Sequence, residues 1–278
     1  MTLPPAAAES LFHIGPLNVT NALINGWLAV AFFVIVVVLL RRRWAAVPKG
    51  LQNISESIVE FFLSETQKVT GDAPRARQFL PVVGTIFLFI LFSNWLGLIP
   101  GTGSIGVWLM HQGEVELIPL LRPAASDLNL TLGIALFAVI ISHVYGIQAL
   151  GLTNHVSKFV NIRGVFRSFK KGPMAVIVAC IEFGVGLIEI VSEIAKVLSL
   201  SLRLFGNVFA GEVLMTVMLG LFSLFLPIPF IFLEVLVGVI QATVFSMLTL
   251  AYLTVATSGH GDEHEEEHHE ARTETAHA

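Results

Sequence analysis

The sequence has little charge: only 13% of its 278 residues are Asp, Glu, Lys or Arg. A soluble domain would carry about 25%, so a cytosolic enzyme or a nucleic-acid binder is a poor candidate. Apolar residues make up 55% of the chain. The single cysteine, Cys180, excludes a disulfide framework and a cysteine-based metal cluster. We expect it to pack inertly in an apolar run.

The charge that is present is distributed unevenly. The net charge is −4, and the acids are concentrated after residue 258. Residues 258–278 are typical of a disordered, acidic, histidine-rich tail in the cytoplasm. His264-Glu-Glu-Glu-His268 has the HExxH spacing of zinc proteases, but the tail lacks the apolar residues that would anchor an ordered helix in a cleft. We therefore predict no cofactor and no resident metal.

Five apolar stretches are long enough to cross a bilayer, which takes about 20 helical residues. A membrane leaves few other ways to satisfy the backbone, and the alternating pattern of barrel strands is absent. The sequence therefore predicts an all-α polytopic membrane protein, with residues 21–257 as a single membrane domain after an external segment, 1–20. The predicted spans are residues 21–40, 79–99, 128–150, 173–226 and 229–257.

The positions of the bases predict the orientation of these spans. No Lys or Arg precedes Arg41, whereas seven lie between Arg41 and Arg77 and five between Lys158 and Lys171. The loop over residues 100–126 contains only Arg122. The positive-inside rule then places the N-terminus outside and the C-terminus in the cytoplasm. The first span lacks a preceding basic region, so we expect an anchor rather than a cleaved signal peptide.

Residues 48–70 differ from the spans because apolar and charged side chains alternate there at roughly helical spacing. This pattern predicts an amphipathic interfacial helix that lies on the cytoplasmic membrane surface or on a partner protein.

The fourth span is unusual because it contains seven ionisable or amide side chains. Ionisable groups at the centre of a span cost at least about 2.5 kcal/mol each and usually face a water-filled path or a partner. All but the last of the seven fall on one stripe of the helix, about 80° wide. Small residues at 192, 199 and 206 repeat beside it and would allow close approach of another helix. The seven residues are Glu182, Glu189, Glu193, Lys196, Arg203, Asn207 and Glu212.

The last span offers a partner for Glu212, which points away from the stripe. Glu234 and Gln241 are seven residues apart and share a face, and the Pro227-Ile228-Pro229 segment is typical of a turn. A Glu212–Glu234 pair across the resulting hairpin is therefore geometrically reasonable. Two carboxylates at one site favour retention of a proton by one of them, which suits proton uptake and release.

The length of the fourth span constrains its arrangement. A continuous helix over 173–226 would be about 80 Å long, against a hydrocarbon core of about 30 Å. Either the helix breaks or it is steeply tilted, and the sequence favours tilt. The last two spans are then predicted to form a long tilted hairpin.

Four segments of the chain closely resemble subunit a of F-type ATP synthases, and the resemblance runs from about His13 to Thr257. The most specific segments are the last two of the four. The segments are Ser93-Asn-Trp-Leu-Gly-Leu-Ile-Pro100-Gly, Asp127-Leu-Asn-Leu-Thr-Leu, Leu198-Ser-Leu-Ser-Leu-Arg203-Leu-Phe-Gly-Asn207-Val-Phe-Ala-Gly-Glu212 and Gln241-Ala-Thr-Val-Phe-Ser-Met-Leu-Thr-Leu-Ala-Tyr252-Leu.

The resemblance implies a non-catalytic, proton-translocating stator subunit in a bacterial plasma membrane. Its implied partners are the ring of c subunits, the peripheral-stalk b subunits and the other ATP synthase subunits. Arg203 is similar to the family's essential arginine, which separates two offset half-channels. The outward half-channel would be lined by Asn207, Glu212, Glu234 and Gln241, and the inward one by Ser199, Glu189 and Glu193.

One departure from the family pattern concerns Glu212 and Glu234. Some members have a histidine at one of these two positions, so the pH dependence here need not match theirs. His143, Tyr145 and Asp127 are candidates for additional relay groups, although hydrogen-bonded packing is the favoured interpretation of His143 and Tyr145. Two alternatives stay open: a sodium-translocating subunit of the same kind, and, less favoured, a secondary ion transporter, whose paired half-repeats are not visible.

Overall fold

The computed structural model describes residues 5, 7–42, 49–99, 101–102, 105–111, 114–159, 173–221 and 227–258. Helices dominate these residues, with two short β-hairpins and a 3₁₀ turn at Ala124–Ser126. The helices are α1 (Asn21–Arg42), α2 (Leu51–Thr70), α3 (Ala73–Gly97), α4 (Leu128–Leu150), α5 (Leu152–Phe159), α6 (Pro173–Leu221) and α7 (Pro227–Thr257).

Five of these helices, α1, α3, α4, α6 and α7, are long and apolar enough to cross a membrane. This confirms the predicted all-α polytopic class. The predicted turn at Pro227-Ile228-Pro229 is wrong, because α7 already begins at Pro227. Proline is well suited to the first helical turn, where the backbone N–H has no intrahelical partner.

Helix α6 is continuous over 49 residues. At 1.5 Å per residue it is about 74 Å long, so no break shortens it. Residues 222–226 of the predicted span lie outside the described residues, and the tilt of the helix stays a prediction.

Two antiparallel β-hairpins lie outside the apolar runs, and the sequence did not predict them. The first pairs β1 (Ser10–Ile14) with β2 (Leu17–Thr20), and the second pairs β3 (Gly106–His111) with β4 (Glu114–Pro119). In the first hairpin the His13 and Asn18 side chains contact each other at 2.6 Å. Strands of this length give a much weaker periodic signal than a membrane helix, which explains why they were missed.

Helix α2 has the amphipathic character that the sequence predicts for residues 48–70. Phe62 is buried and its ring lies 4.6 Å from that of Phe87 on α3, whereas Ile54 and Phe61 are exposed. The helix ends at Gly71, whose φ of 66° is a left-handed conformation that favours glycine. The Gly71 N–H donates to the Gln67 carbonyl at 2.9 Å. Attachment of the apolar face to a membrane or a partner stays a prediction.

The chain forms two compact units. The first unit comprises Met1–Ala135 and Leu198–Leu248, and the second comprises Leu136–Val197 and Thr249–Ala278. In the first unit α1 packs on α3 through the stacked rings of Phe32 and Phe92, whose centroids are 4.2 Å apart. The predicted single membrane domain therefore contains residues of both units.

Two predicted features lie outside the described residues. They are the acidic tail from residue 259 onward, including His264 and His268, and most of the basic segment Lys158–Lys171. The predicted orientation rests on the sequence alone.

We expect Gly97→Ala to lower the thermal stability of the detergent-solubilised protein. A Cβ at this position would lie 2.6 Å from the Cγ and the backbone N of Pro123, and overpacking of this kind costs about 1–3 kcal/mol. Gly84→Ala on the same helix is the matched control, because its Cβ would meet no atom within 4 Å. Equal melting temperatures for the two variants would contradict this packing.

Candidate functional site

Arg203 lies on the exposed face of α6. Its guanidinium Nη2 donates to the Ser199 hydroxyl at 3.3 Å, one turn earlier on the same helix. The neighbouring face of α6 is packed, since Leu200 and Leu204, which lie about 60° and 100° around the helix from Arg203, are each 1% exposed. Asn207, one turn further on, is exposed like Arg203. The arginine is therefore presented outward from the unit that contains it.

Small residues surround Arg203 on this face. Ser199, Gly206 and Ala210 are all exposed, and a Cβ at Gly206 would meet no atom within 4 Å. Ser192 is also exposed. The predicted seam of small side chains is thus uncovered by the described residues, and a second helix could approach the α6 backbone closely there.

Glu212 forms a buried ion pair with Arg122. The Nε of Arg122 lies 2.9 Å from Oε1 and 3.0 Å from Oε2 of Glu212, and the Arg122 side chain is only 3% exposed. The other two guanidinium nitrogens donate to the backbone carbonyls of Pro5 and Ala7 at 2.8 and 3.3 Å. Every nitrogen of this guanidinium therefore has an acceptor.

Glu234 is buried on α7, with its carboxylate against the backbone of Gly211 on α6. The Glu234 carboxylate therefore lies beside the residue that precedes Glu212 on α6. Among the described residues no hydrogen bond joins Glu212 to Glu234, and the partner of Glu212 is Arg122 instead of the predicted Glu234. Sequence reasoning missed Arg122, although it is the only base in the loop over residues 100–126.

Helix α3 packs on α7 between Glu234 and Gln241. The Trp95 indole N–H donates to the Val235 carbonyl at 3.3 Å, and a Cβ at Gly238 would lie 3.4 Å from that indole. Gln241 is half-buried on the next turn. Asn94 is 3% exposed, and its amide oxygen and nitrogen have no hydrogen-bond partner among the described residues. Such a group is a natural site for a bound water.

Asp127 is buried and caps the N-terminus of α4. Its Oδ1 accepts the Asn129 N–H at 3.0 Å, and its carbonyl accepts the Thr131 N–H at 3.2 Å. A carboxylate at this position satisfies orphan donors of the first turn. The contacts of Asp127 are those of a helix cap, and its predicted relay role stays a prediction.

A second cluster of titratable groups lies in the second unit. The Lys196 ammonium donates to Glu193 Oε1 at 2.7 Å and lies 5.1 Å from the centroid of the Tyr252 ring. His143 Nε2 is 3.5 Å from Glu193 Oε2, and His143 Nδ1 is 3.2 Å from His155 Nε2.

Two other predicted residues of this unit are half-buried. They are Glu189, one turn before Glu193, and Tyr145 on α4. Sequence reasoning found Glu193, Lys196 and His143 but missed His155. His155 lies ten residues after Tyr145, the last polar residue predicted in the third span, and beyond the end of that span.

Comparisons with known proteins agree on one family. The model of the ATP synthase A chain family matches residues 23–254. The chain is 31% identical to the ATP synthase subunit a of Moorella thermoacetica over 90% of its own length and 96% of that protein. It is 32% identical to the subunit of Gloeobacter violaceus over 91% of this chain and 90% of that one. For Campylobacter jejuni the identity is 33%, over 90% and 91%.

We expect Arg122→Ala to destabilise the protein strongly, because it leaves the Glu212 carboxylate without its partner in a largely buried position. Breaking a buried ion pair from one side costs about 3–5 kcal/mol. Adding Glu212→Gln should recover much of this loss, since it removes the orphaned charge. Thermal melts of the solubilised single and double variants measure the coupling energy between Arg122 and Glu212.

The control for this pair is Arg75→Ala. Arg75 and Asp72 form an exposed pair at 3.6 Å, and such pairs contribute no more than about 1 kcal/mol. A double variant as unstable as the sum of its two single variants would show that the Arg122–Glu212 contact is not coupled.

Proposed function

Since the chain belongs to the ATP synthase A chain family, we propose that it is the proton-translocating stator subunit of a rotary ATP synthase. In this role it delivers protons to, and removes them from, carboxylates on a rotating ring of c subunits. It is not catalytic by itself and works with the peripheral-stalk b subunits and the other ATP synthase subunits.

The observation that carries the proposal is the exposed guanidinium of Arg203. A charge at the centre of a membrane span costs at least about 2.5 kcal/mol, and the Ser199 hydroxyl is a neutral partner. A carboxylate on a neighbouring chain would supply the missing counter-charge. The small residues at 199, 206 and 210 would allow a helix carrying that carboxylate to come close.

Arg203 also suits the role of a barrier. An arginine guanidinium attracts an ionised carboxylate but does not pass a proton on. An arginine between two proton paths therefore prevents a direct leak, and a proton must travel on the rotor to move from one path to the other.

We assign the outward path to Asn207, Glu212, Glu234 and Gln241. The Glu234 carboxylate lies against Gly211, the neighbour of Glu212 on α6. The buried amide of Asn94, which has no hydrogen-bond partner among the described residues, lies on α3 beside Gly238. Polar groups that lack protein partners in a buried position are sites where water enters. A chain of waters between carboxylates and amides conducts protons.

We assign the inward path to Ser199, Glu189 and Glu193, which precede Arg203 on α6. A proton from outside then neutralises a rotor carboxylate, travels through lipid with the ring and leaves by this path to the cytoplasm. Each charge that crosses is worth about 2.3 kcal/mol per 100 mV of membrane potential. The orientation follows the positive-inside rule, and the bacterial relatives suggest the plasma membrane of a bacterium.

We expect Arg203→Ala to abolish ATP-driven proton pumping in inverted membrane vesicles while the complex still assembles, because the rotor carboxylate loses its counter-charge. Arg203→Lys should also be severely impaired, since an ammonium can lose its proton and does not match the planar guanidinium. Lys68→Ala is the control, because Lys68 is an exposed cation on α2 bonded to Glu65. Proton pumping by an assembled Arg203→Ala complex would contradict the mechanism.

The same vesicles distinguish the sodium alternative. A proton-translocating complex acidifies the vesicle interior in sodium-free buffer and responds directly to ATP. Sodium-dependent ²²Na⁺ uptake that persists in the presence of a protonophore would instead assign the chain to a sodium-translocating complex.

We expect Glu234→Gln and Glu212→Gln each to lower proton flux, and the double variant to lower it further, because each removes a group that can bind and release a proton on the outward path. Passive proton conduction through stripped membranes, driven by a potassium diffusion potential, measures the flux. Glu60→Gln, an exposed acid on α2, is the control. Wild-type flux in the assembled double variant would exclude both acids from the path.

A further inference from the structure

We propose that His155, His143 and Glu193 form a proton wire that connects the inward path to the aqueous phase at the α4–α5 end of the second unit. The proposal rests on the function proposed above and adds two histidines to it. The wire assigns a specific exit route to protons that reach Glu193.

The three groups are in contact in an unbroken series. His155 Nε2 lies 3.2 Å from His143 Nδ1, and His143 Nε2 lies 3.5 Å from Glu193 Oε2. The first distance is that of a hydrogen bond, and the second needs only a small side-chain motion to become one. Both ring nitrogens of His143 are therefore engaged, one with an imidazole and one with a carboxylate.

Lys196 fixes the carboxylate that faces the wire. Its ammonium donates to Oε1 of Glu193 at 2.7 Å, so Oε2 is the oxygen left to face His143. Tyr252 on α7 lies under the ammonium and holds it in place. Lys196 and, through it, Tyr252 are thus titratable groups that contact the Glu193 end of the wire.

The backbone brings the two histidines together. Gly151 has a φ of 82°, a left-handed conformation between α4 and α5, and the His155 N–H donates to its carbonyl at 3.1 Å. The His155 ring then packs against Gly146, where a Cβ would lie 2.6 Å from the ring. Two glycines therefore allow a histidine of α5 to reach a histidine of α4 twelve residues earlier.

An imidazole between two such partners can pass a proton along. A neutral imidazole has one donor and one acceptor nitrogen, so a proton gained at Nε2 of His143 is balanced by a proton lost from Nδ1 to His155. His155, which is only 4% exposed, in turn loses the proton of its Nδ1 when a water reaches that nitrogen. Tautomer exchange through water restores each ring, and no electron moves. Histidine suits this step because its ordinary pKa, about 6.5, lies close to physiological pH.

The test is proton conduction through the assembled complex in stripped membranes, measured from pH 6 to pH 9 on the cytoplasmic side. We expect His155→Gln and His143→Gln to lower conduction by about tenfold or more above pH 8, less than the roughly 10²–10⁴-fold of a positioned proton-transfer group because water replaces part of the wire. The loss should shrink at pH 6. Imidazole added to the buffer should restore conduction, which a purely structural role does not predict.

The control is His13→Gln, since His13 lies in the N-terminal hairpin and contacts Asn18. Where a glutamine variant does not assemble, the smaller asparagine replaces it at the same position. Wild-type conduction in both assembled histidine variants across the whole pH range would overturn the wire, as would a loss that is independent of pH and insensitive to imidazole.

Failure of the wire is distinguishable from failure of the proposed function. If the wild-type complex conducts protons and Arg203→Ala stops conduction, the proposed function holds whatever the histidine variants do. If the wild-type complex conducts no protons, the proposed function is wrong and the wire falls with it.

Discussion

The cost of an ion in a hydrocarbon phase is the constraint on which this structure depends. Three of the six charged side chains described on α6 and α7 meet the cost within the chain: Glu212 pairs with Arg122, and Glu193 pairs with Lys196. Arg203 differs, because its contact within the chain is the neutral Ser199 hydroxyl. A charge on a membrane helix that has no counter-charge in its own chain is stabilised when a neighbouring molecule supplies one. In the function proposed above, a carboxylate of a partner chain supplies the counter-charge for Arg203.

The contacts formed inside the chain also differ from one acid to the next. Arg122 holds the Glu212 carboxylate from both oxygens and ties the N-terminal segment to it. Glu234 contacts the backbone at Gly211 and forms no ion pair with any of the described residues. Glu193 is held on one oxygen by Lys196 and faces His143 with the other. Each of the three acids thus has a different local balance of charge.

Much of the fold followed from local pattern. Apolar length identified the five spans, because a membrane helix needs about 20 apolar residues in an unbroken run, and the positions of Arg203 and Asn207 on one face followed from helical periodicity. The hairpins were missed because their strands are only four to six residues long. Arg122 was not identified as the partner of Glu212, since the two are 90 residues apart and no local period connects them. His155 was missed because its contact with His143 depends on the turn at Gly151.

The sequence alone determined the membrane class, the spans and the polar stripe of α6, because these depend on composition and on the 3.6-residue repeat of a helix. The tertiary structure decided which polar groups meet. It paired Glu212 with Arg122 instead of Glu234, placed Glu234 against Gly211, and joined His155, His143 and Glu193 in one series. The physical reason is that a pairing between distant segments depends on how helices and turns pack. Small residues such as Gly146 and Gly211 allow close packing, but the sequence around them does not identify the side chain that packs there.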